Sequence, residues 1–132
     1  MPRAWQMRRP VQTVTLQIDR PPGVNNLYFN LSGRGRVVAP VYSRWRALAA
    51  VQIATQRPGC VIGPFHLSVV SERTSRRQDL DGILKATLDA LKTAGVIQDD
   101  NLTQSIDVAW HGRGSSMRVR VTATKETWHV SE

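Results

Sequence analysis

Apolar and polar residues alternate along four stretches of the chain, with the two-residue period of a β-strand. These stretches cover residues 11–18, 65–71, 104–110 and 117–124. The second is apolar on one face and mixed on the other, so we expect it to lie centrally in a sheet. In the last stretch we expect Val119 and Val121 to face the core, and Arg118 and Arg120 to face solvent.

Two further stretches carry apolar residues at helical spacing, three and four positions apart. The first begins with Ser43 as its N-cap and continues to about Gln56. Pro58 and Gly59 follow and stop it, because both oppose continuation of a helix. The residues that we expect on its buried side are Trp45, Leu48, Ala49 and Ile53.

The second helix covers residues 80–94, and Gly95 is placed to cap its C-terminus. Asp81, Lys85 and Asp89 follow one another at spacings of four, so they share a polar face. Its predicted buried stripe consists of Leu80, Ile83, Leu84, Leu88 and Leu91.

This order of elements predicts an α+β protein, a single domain over residues 1–132 with a mixed β-sheet covered by two main helices. The strand–helix–strand unit over residues 65–110 is compatible with parallel pairing through a right-handed crossover. We expect residues 1–10 and 125–132 to be flexible, because neither segment carries a clear pattern.

The charge balance indicates that the domain binds a polyanion. The chain has 18 Lys and Arg against 10 Asp and Glu, for a formal net charge of +8 and a pI near 11.0. Such a balance favours DNA or RNA as a partner, with an anionic membrane surface as the second alternative.

A single cysteine, Cys60, excludes an intrachain disulfide and a thiolate zinc site. The N-terminus lacks the apolar run of a signal peptide, and no stretch approaches the roughly 20 apolar residues of a membrane span. We therefore expect a cytoplasmic protein without a membrane partner.

Four acids stand out in this basic chain, in two pairs. Asp79 and Asp81 sit two apart where extended chain becomes helix, so both side chains can approach one ion. Asp99 and Asp100 follow the far end of that helix. Carboxylates are the ligands that Mg²⁺ takes in proteins, so a magnesium site is one interpretation. The other is structural, with these acids as helix caps, turn residues and a surface charge ladder.

The central string RRQDLDGILKATLDALKTAGVIQDD, residues 76–100, resembles the signature of the RusA-type Holliday-junction resolvases. These are small endonucleases often carried by phages and prophages. An upstream segment, Pro21-Pro22-Gly23-Val24-Asn25-Asn26, is similar to the early proline–asparagine loop of the family. Together the matching residues extend from about 14 to 122.

The resemblance implies a homodimeric enzyme of mixed α/β fold that binds four-way DNA junctions and nicks two strands symmetrically, in recombination and repair. It implies Mg²⁺ as cofactor, replaceable by Mn²⁺, and no small-molecule cofactor. Asp79, Asp81 and Asp100 match the family's acidic catalytic positions, Asp99 the other half of the acidic pair, and Lys85 its lysine. The chain departs from the family at Gly82, where Asn is common. The alternative is a non-catalytic junction-binding protein derived from such a nuclease.

Arginines surround the acids, and Arg is the side chain that grips phosphate with two donors. Arg73, Arg76 and Arg77 precede the acids directly and are expected to contact flanking phosphates. A second group lies upstream, where residues 32–36 form a basic turn after a short extended piece at residues 27–31. Its candidate DNA-binding residues are Arg34, Arg36, Asn25 and Asn26. The alternative for each arginine is a solvated surface charge.

Overall fold

A computed structural model describes residues 2–23, 28–33, 35–76, 78 and 80–124. It contains a four-stranded sheet of order β1-β6-β4-β5 and a two-stranded sheet β2-β3. The strands are β1 (Thr13–Asp19), β2 (Tyr28–Leu31), β3 (Gly35–Val38), β4 (Phe65–Arg73), β5 (Thr103–Arg113) and β6 (Ser116–Ala123). Helices α1 (Pro40–Gln56) and α2 (Leu84–Ala94) complete the predicted α+β architecture.

The four-stranded sheet is mixed. Strand β6 is antiparallel to both β1 and β4, and β4 runs parallel to β5, as the pattern around residues 65–110 predicted. Parallel neighbours need a crossover connection, and here α2 provides it. The direction of β4 and β5 decides where the acids lie, because one pair follows the end of β4 and the other precedes the start of β5.

One face of the sheet packs against the helices and forms the core. Alternate residues of the central strands are buried there, as period-two patterning requires. Val119 and Val121 point into this core while Arg118 and Arg120 are exposed, which confirms the prediction for β6. Within the described residues, neither helix is long and apolar enough to span a bilayer.

Helix α1 begins four residues earlier than predicted, with Ala39 rather than Ser43 at the N-cap. Pro40 is its first residue, because the fixed φ of proline suits a first helical turn and its missing N–H is not needed there. Its buried stripe is Tyr42, Trp45, Ala49 and Ile53. The burial predicted for Leu48 is wrong: its side chain is 42% exposed, because the stripe at spacings of three and four is narrow and leaves Leu48 beside it.

A turn of 3-10 helix, Asp81–Ile83, leads into α2, so regular helical structure starts at Asp81 as expected. Ile83, Thr87 and Leu91 are its fully buried positions, with Ala86, whereas the other leucines of the predicted stripe are only half-buried.

Gly95 caps α2 with φ of 80°, a left-handed conformation that favours glycine. A Cβ at this position would lie 2.5 Å from the backbone of Ala4. The N-terminal segment that was expected to be flexible therefore packs here, as a 3-10 helix, Ala4–Met7, against the turn after α2. Arg8 ties the same segment down by donating to the carbonyls of Ala94 and Pro58. The other end predicted to be flexible, residues 125–132, lies outside the described residues.

Candidate active site

The predicted acids occupy two places, one at each end of α2. Asp81 opens the 3-10 turn before the helix, and its carboxylate is exposed. Asp99 and Asp100 follow the helix, in the connection to β5. The eleven residues of α2 separate the two places by about 15 Å along the helix axis.

The strands of the sheet also place the two groups of acids at opposite ends of the fold. The chain leaves β4 at Arg73 on its way to Asp81, whereas Asp100 precedes Thr103, which pairs with Phe65 at the opposite end of β4. Nine strand residues correspond to about 26 Å. Among the described residues there is no group of three or more His, Cys, Asp or Glu side chains that would hold a metal ion. Asp79 lies outside the described residues.

Asp99 and Asp100 form a close pair at the C-terminal end of α2. The hydrogen bond between their side chains, and a second from the backbone N–H of Asn101 at 3.3 Å, hold the pKa of Asp99 below its ordinary value. Lys92 adds a favourable charge, with Nζ 3.5 Å from Asp99 Oδ1. The Asp100 carbonyl accepts from the Thr103 hydroxyl, which fixes the pair to the first residue of β5. This end presents two neighbouring carboxylates to solvent.

The N-terminal end of α2, where Asp81 lies, is strongly basic. Arg76 is exposed, and Arg73 stacks its guanidinium over the Trp110 ring, 5.6 Å from the centroid. Arg77 lies outside the described residues. Lys85 is one turn into the helix and pairs with Asp89 at 3.7 Å, one of the two pairs of the charge ladder in the structural interpretation. The Asp81 backbone carbonyl accepts from the Leu84 N–H, whereas its carboxylate makes no hydrogen bond or ion pair with any other residue that the structure describes and is exposed. The carboxylate is therefore available to a cation.

The donor chemistry at both ends suits Mg²⁺, because exposed carboxylate oxygens are hard ligands. The described part of one chain nevertheless gathers only two of them in one place. Residues suited to holding a metal are therefore present, and they are divided between the two ends of α2.

Of the upstream DNA-binding candidates, Arg36 lies on the small β2–β3 sheet. Arg36 lies over the Tyr28 ring at 4.7 Å, and Tyr28 in turn meets Tyr42 edge-on. Arg34, Asn25 and Asn26 lie outside the described residues. This hairpin is thus anchored on α1 through aromatic contacts, with Arg36 exposed at its surface.

A cleft of about 630 Å³ lies beside α2, with Tyr42, Arg46, Asp89 and Lys92 in its walls. Burial and the neighbouring carboxylate of Asp89 raise the pKa of the Tyr42 hydroxyl. Among the described residues, the predicted metal-binding acids Asp81, Asp99 and Asp100 do not line this cleft.

Two features near the acids were not found from sequence. Arg20 is held at the end of β4, where it donates to the Gly114 carbonyl at 2.7 Å, and burial lowers its pKa. Glu72 accepts from the Ser116 N–H at 2.9 Å, next to the same hairpin. These contacts fix the C-terminal end of β4, where Arg73 is the last residue and Arg76 follows in the next turn. No local pattern marks them, because each joins residues more than 40 positions apart.

A family model described as Endodeoxyribonuclease RusA matches residues 20–124 of the 132 in the chain. The chain belongs to the RusA family. It is an endodeoxyribonuclease, a hydrolase that acts on DNA. The match includes both ends of α2 and every acid, lysine and arginine predicted for the site. No curated protein matches the chain.

RusA nucleases are resolvases that bind branched DNA junctions and generally depend on a divalent metal. The predicted family is therefore confirmed, and with it the class of reaction and of substrate. The roles of the individual residues remain predictions.

Proposed function

We propose that this RusA protein resolves Holliday junctions by paired symmetric nicks, with Mg²⁺ as cofactor and as a homodimer, in DNA recombination and repair. The observation that carries the proposal is the pattern at the two ends of α2. At one end the exposed carboxylate of Asp81 follows Arg73 and Arg76, and at the other end the carboxylates of Asp99 and Asp100 lie side by side, all inside the matched family region. We also propose a cytoplasmic location, where the buried thiol of Cys60 stays reduced.

Asp79, Asp81 and Asp100, with Asp99, are the residues proposed to hold the metal. When bound, Mg²⁺ polarises a phosphodiester oxygen and lowers the pKa of a coordinated water. The residues of the chain position the DNA around it. Lys85 is free to neutralise charge developing on the phosphate, because its partner Asp89 is half-exposed and the pair is 3.7 Å apart.

Arg73 and Arg76 are proposed to bind the phosphates that flank the cut. Arg73 needs little further ordering, since Trp110 already holds its guanidinium. Contacts to phosphate carry no base information, so binding should follow the branched shape of the junction and weaken steeply with salt.

The direct test is a synthetic four-way junction incubated with the protein and Mg²⁺. We expect paired nicks from the wild type, and no nicks from Asp81→Asn, which should still bind the junction. Asp19→Asn, which removes the same charge from the end of β1, serves as control and should cut normally. Cutting by Asp81→Asn at the wild-type rate would remove Asp81 from the mechanism.

Substituting an arginine outside the acid groups should change the affinity for DNA without changing the cutting reaction. Arg76→Ala should weaken binding to all junction sequences alike and reduce the dependence of affinity on salt by about one phosphate contact. Arg44→Ala, an exposed arginine on α1, is the matched control.

The catalytic competence of the wild type depends on Gly82, which is buried in the turn after Asp81. Gly82 lacks the side-chain amide of the Asn that is common at this position in the family. Tight binding by the wild type without nicks in either Mg²⁺ or Mn²⁺ would favour the non-catalytic junction-binding protein.

A further inference from the structure

The cleft of about 630 Å³ beside α2 is not used by the proposed reaction. Its described walls come from the N-terminal segment, β2, α1 and α2. Pockets that hold small molecules commonly have volumes of about 300–1,000 Å³ and combine apolar walls with a few polar groups. This cleft fits that description, because small residues such as Ala50, Ala90 and Ala94 alternate with charged and aromatic side chains in its walls.

The described walls of the cleft carry a net positive charge. Arg8, Arg46 and Lys92 line it, and Asp89 is the one acid among the described lining residues. Lys92 pairs with Asp99, which does not line the cleft, at 3.5 Å. Arg8 and Arg46 form no ion pair with any residue that the structure describes. Two such guanidinium groups favour an anionic ligand, and phosphate is an anion that arginine binds with two donors.

Planar groups line one side of the cleft. The guanidinium of Arg46 lies over the Tyr42 ring, 5.0 Å from its centroid, and Tyr42 also stacks on Trp45. Arg46 is exposed, which leaves the outer face of its guanidinium open to a ligand. Tyr28 meets Tyr42 edge-on at 5.9 Å and is only half-buried. Guanidinium planes and tyrosine rings are surfaces on which unpaired nucleobases stack.

Asp89 gives the cleft a fixed hydrogen-bond acceptor. The Tyr42 hydroxyl bonds to its carboxylate, and Lys85 Nζ lies 3.7 Å from its Oδ2. The Asp89 side chain is 39% exposed, so lone pairs of its oxygens remain available to a ligand. A carboxylate accepts from the exocyclic amino group of cytosine or adenine, and it repels a carbonyl oxygen at the same position of the base.

The cleft adjoins residues of the proposed active site. Asp89 in its wall pairs with Lys85, the lysine proposed to act on the phosphate at the cut. Lys92 in its wall pairs with Asp99 of the acidic pair. A nucleotide held in the cleft would therefore lie beside the DNA strand that these groups are proposed to bind.

We propose that this cleft binds a single nucleotide extruded from the branch point of the DNA junction. The base stacks on Arg46 beside Tyr28 and donates its exocyclic amino group to Asp89, while its phosphate lies at Arg8. The inference deepens the proposed function and rests on it for the DNA substrate. Stacked base pairs do not fit a cleft of this size, so the base leaves the stack, which costs least where pairing is already interrupted. A free mononucleotide has the same chemistry, and the source is decided by comparing the two.

Mononucleotide binding tests the cleft itself. We expect dCMP and dAMP to shift the backbone amide signals of Ala90 and Ala94 in NMR titrations, because both residues line the cleft. In dUMP and dIMP a carbonyl oxygen replaces the amino group, so they should bind about five-fold more weakly. No shifts with any of the four nucleotides, or shifts that map away from the cleft, would overturn the proposal.

Matched arginine variants test the stacking contact. Arg46→Ala should weaken dCMP binding about five-fold, because the charge and the planar surface are both lost. Arg44→Ala removes the same charge from an exposed position of α1 that does not line the cleft, and it should bind dCMP as the wild type does. Equal losses in the two variants would reduce the effect to overall charge and contradict the cleft.

The acceptor is tested by Asp89→Asn. This variant should lose the preference for dCMP over dUMP, because an amide offers a donor as well as an acceptor. The preference is a ratio measured within one variant, so any change in its overall affinity cancels. An undiminished preference would remove Asp89 from base recognition and overturn that contact.

A double-mutant cycle tests whether DNA fills the cleft. One change is Arg46→Ala, and the other is an abasic nucleotide placed in turn at each position next to the branch point of a synthetic four-way junction. Affinity is measured by fluorescence anisotropy without divalent metal. At one position, loss of the base should weaken wild-type binding about five-fold and Arg46→Ala binding less than about two-fold. The same cycle with Arg44→Ala should show no coupling.

The results distinguish this inference from the proposed function. Absence of coupling at every position, with dCMP still bound in the cleft, would assign the site to free nucleotides and overturn its role in the junction. Paired nicks by the wild type, with no nucleotide bound in the cleft, would contradict the inference and leave the resolvase intact. Coupling between Arg46 and one base, with no nicks by the wild type, would support the cleft and reject the resolvase.

Discussion

The two edges of the four-stranded sheet are built differently. At the β1 edge, side chains of α1 satisfy the outward-facing backbone: Gln56 accepts from the Gln17 N–H and donates to its carbonyl, at 2.9 and 2.7 Å. Gln52 accepts from the Asp19 N–H, also at 2.9 Å. The β5 edge has no equivalent among the described residues, although it is four residues longer.

Side chains of α1 protect the β1 edge from pairing with a strand of another chain. A glutamine carries both an acceptor and a donor, so it imitates the backbone of a neighbouring strand and leaves no template for another chain. The chain closes one edge in this way with its own helix. The second edge, at β5, has no such cover among the described residues.

The largest effect is expected at the closed edge, from Trp45→Ala. Trp45 is 6% exposed and its Nε1 donates to the Asp19 carbonyl at 2.8 Å, so it joins α1 to the end of β1. Loss of the ring should lower the free energy of unfolding by about 3–5 kcal/mol, and Trp45→Phe, which loses only the hydrogen bond, by about 1 kcal/mol. Urea denaturation measures both. Val51→Ala, at an exposed position of α1, should change it by less than about 0.5 kcal/mol.

Removing the glutamines that cover the β1 edge should leave its backbone groups free to pair with another strand. The double variant Gln52→Ala/Gln56→Ala removes the side chains that cover β1 and should cost about 1–3 kcal/mol of unfolding free energy. We also expect association beyond the dimer, measured by light scattering as concentration rises. Thr55→Ala is the control, because its hydroxyl bonds only within α1. A double variant with unchanged mass and stability would show that the glutamines do not protect the edge.

Hydrogen exchange compares the edges without disturbing the core. The Gln17 amide of β1 should exchange slowly, because Gln56 accepts its hydrogen bond, and in Gln56→Ala it should exchange faster. The outward amides of β5 should be unaffected by that substitution, since among the described residues no side chain of α1 accepts from them. Equal exchange of Gln17 in the two proteins would show that Gln56 does not protect the β1 edge.

The smallest effect concerns the cross-strand network on the outer face of β5. The Ser68 hydroxyl first, and then His66, hold the pKa of Asp107 below 3.8, the ordinary value for Asp. A lowered pKa stabilises the fold above pH 3.8, and this contribution is lost as the pH falls through the lowered value. Ser68→Ala should move the pKa back toward 3.8, measured by the carboxyl chemical shift in NMR, whereas Thr122→Ala on β6 should not.

Much of this architecture was predictable because it is written in local patterns. Alternating apolar residues located β1, β4, β5 and β6, and helical spacing with the Gly95 cap located α2. The start of α1 and the exposure of Leu48 were not, since the first depends on Pro40 suiting a helical first turn and the second on the width of the contact with the sheet.

The acids show the same limit. Their identities and spacing predicted a family and a chemistry, and the family is confirmed. Their separation follows from the parallel pairing of β4 with β5, in which a connecting helix returns the chain to the opposite end of the sheet. A sequence pattern records that Asp81 and Asp100 are 19 positions apart, and it does not record that they lie at opposite ends of α2.

The contact between Gly95 and Ala4 has a practical consequence for making this protein. The Gly95 turn leads toward Asp99 and Asp100, and it is closed by a segment that begins only three residues from the first methionine. Shortening that end, or fusing a bulky purification handle directly to it, would disturb the support of the acidic pair from outside. If the acidic pair holds the metal as proposed, an assay of such a preparation would report weakened metal binding even though every acid remained in place, so handles belong at the opposite terminus.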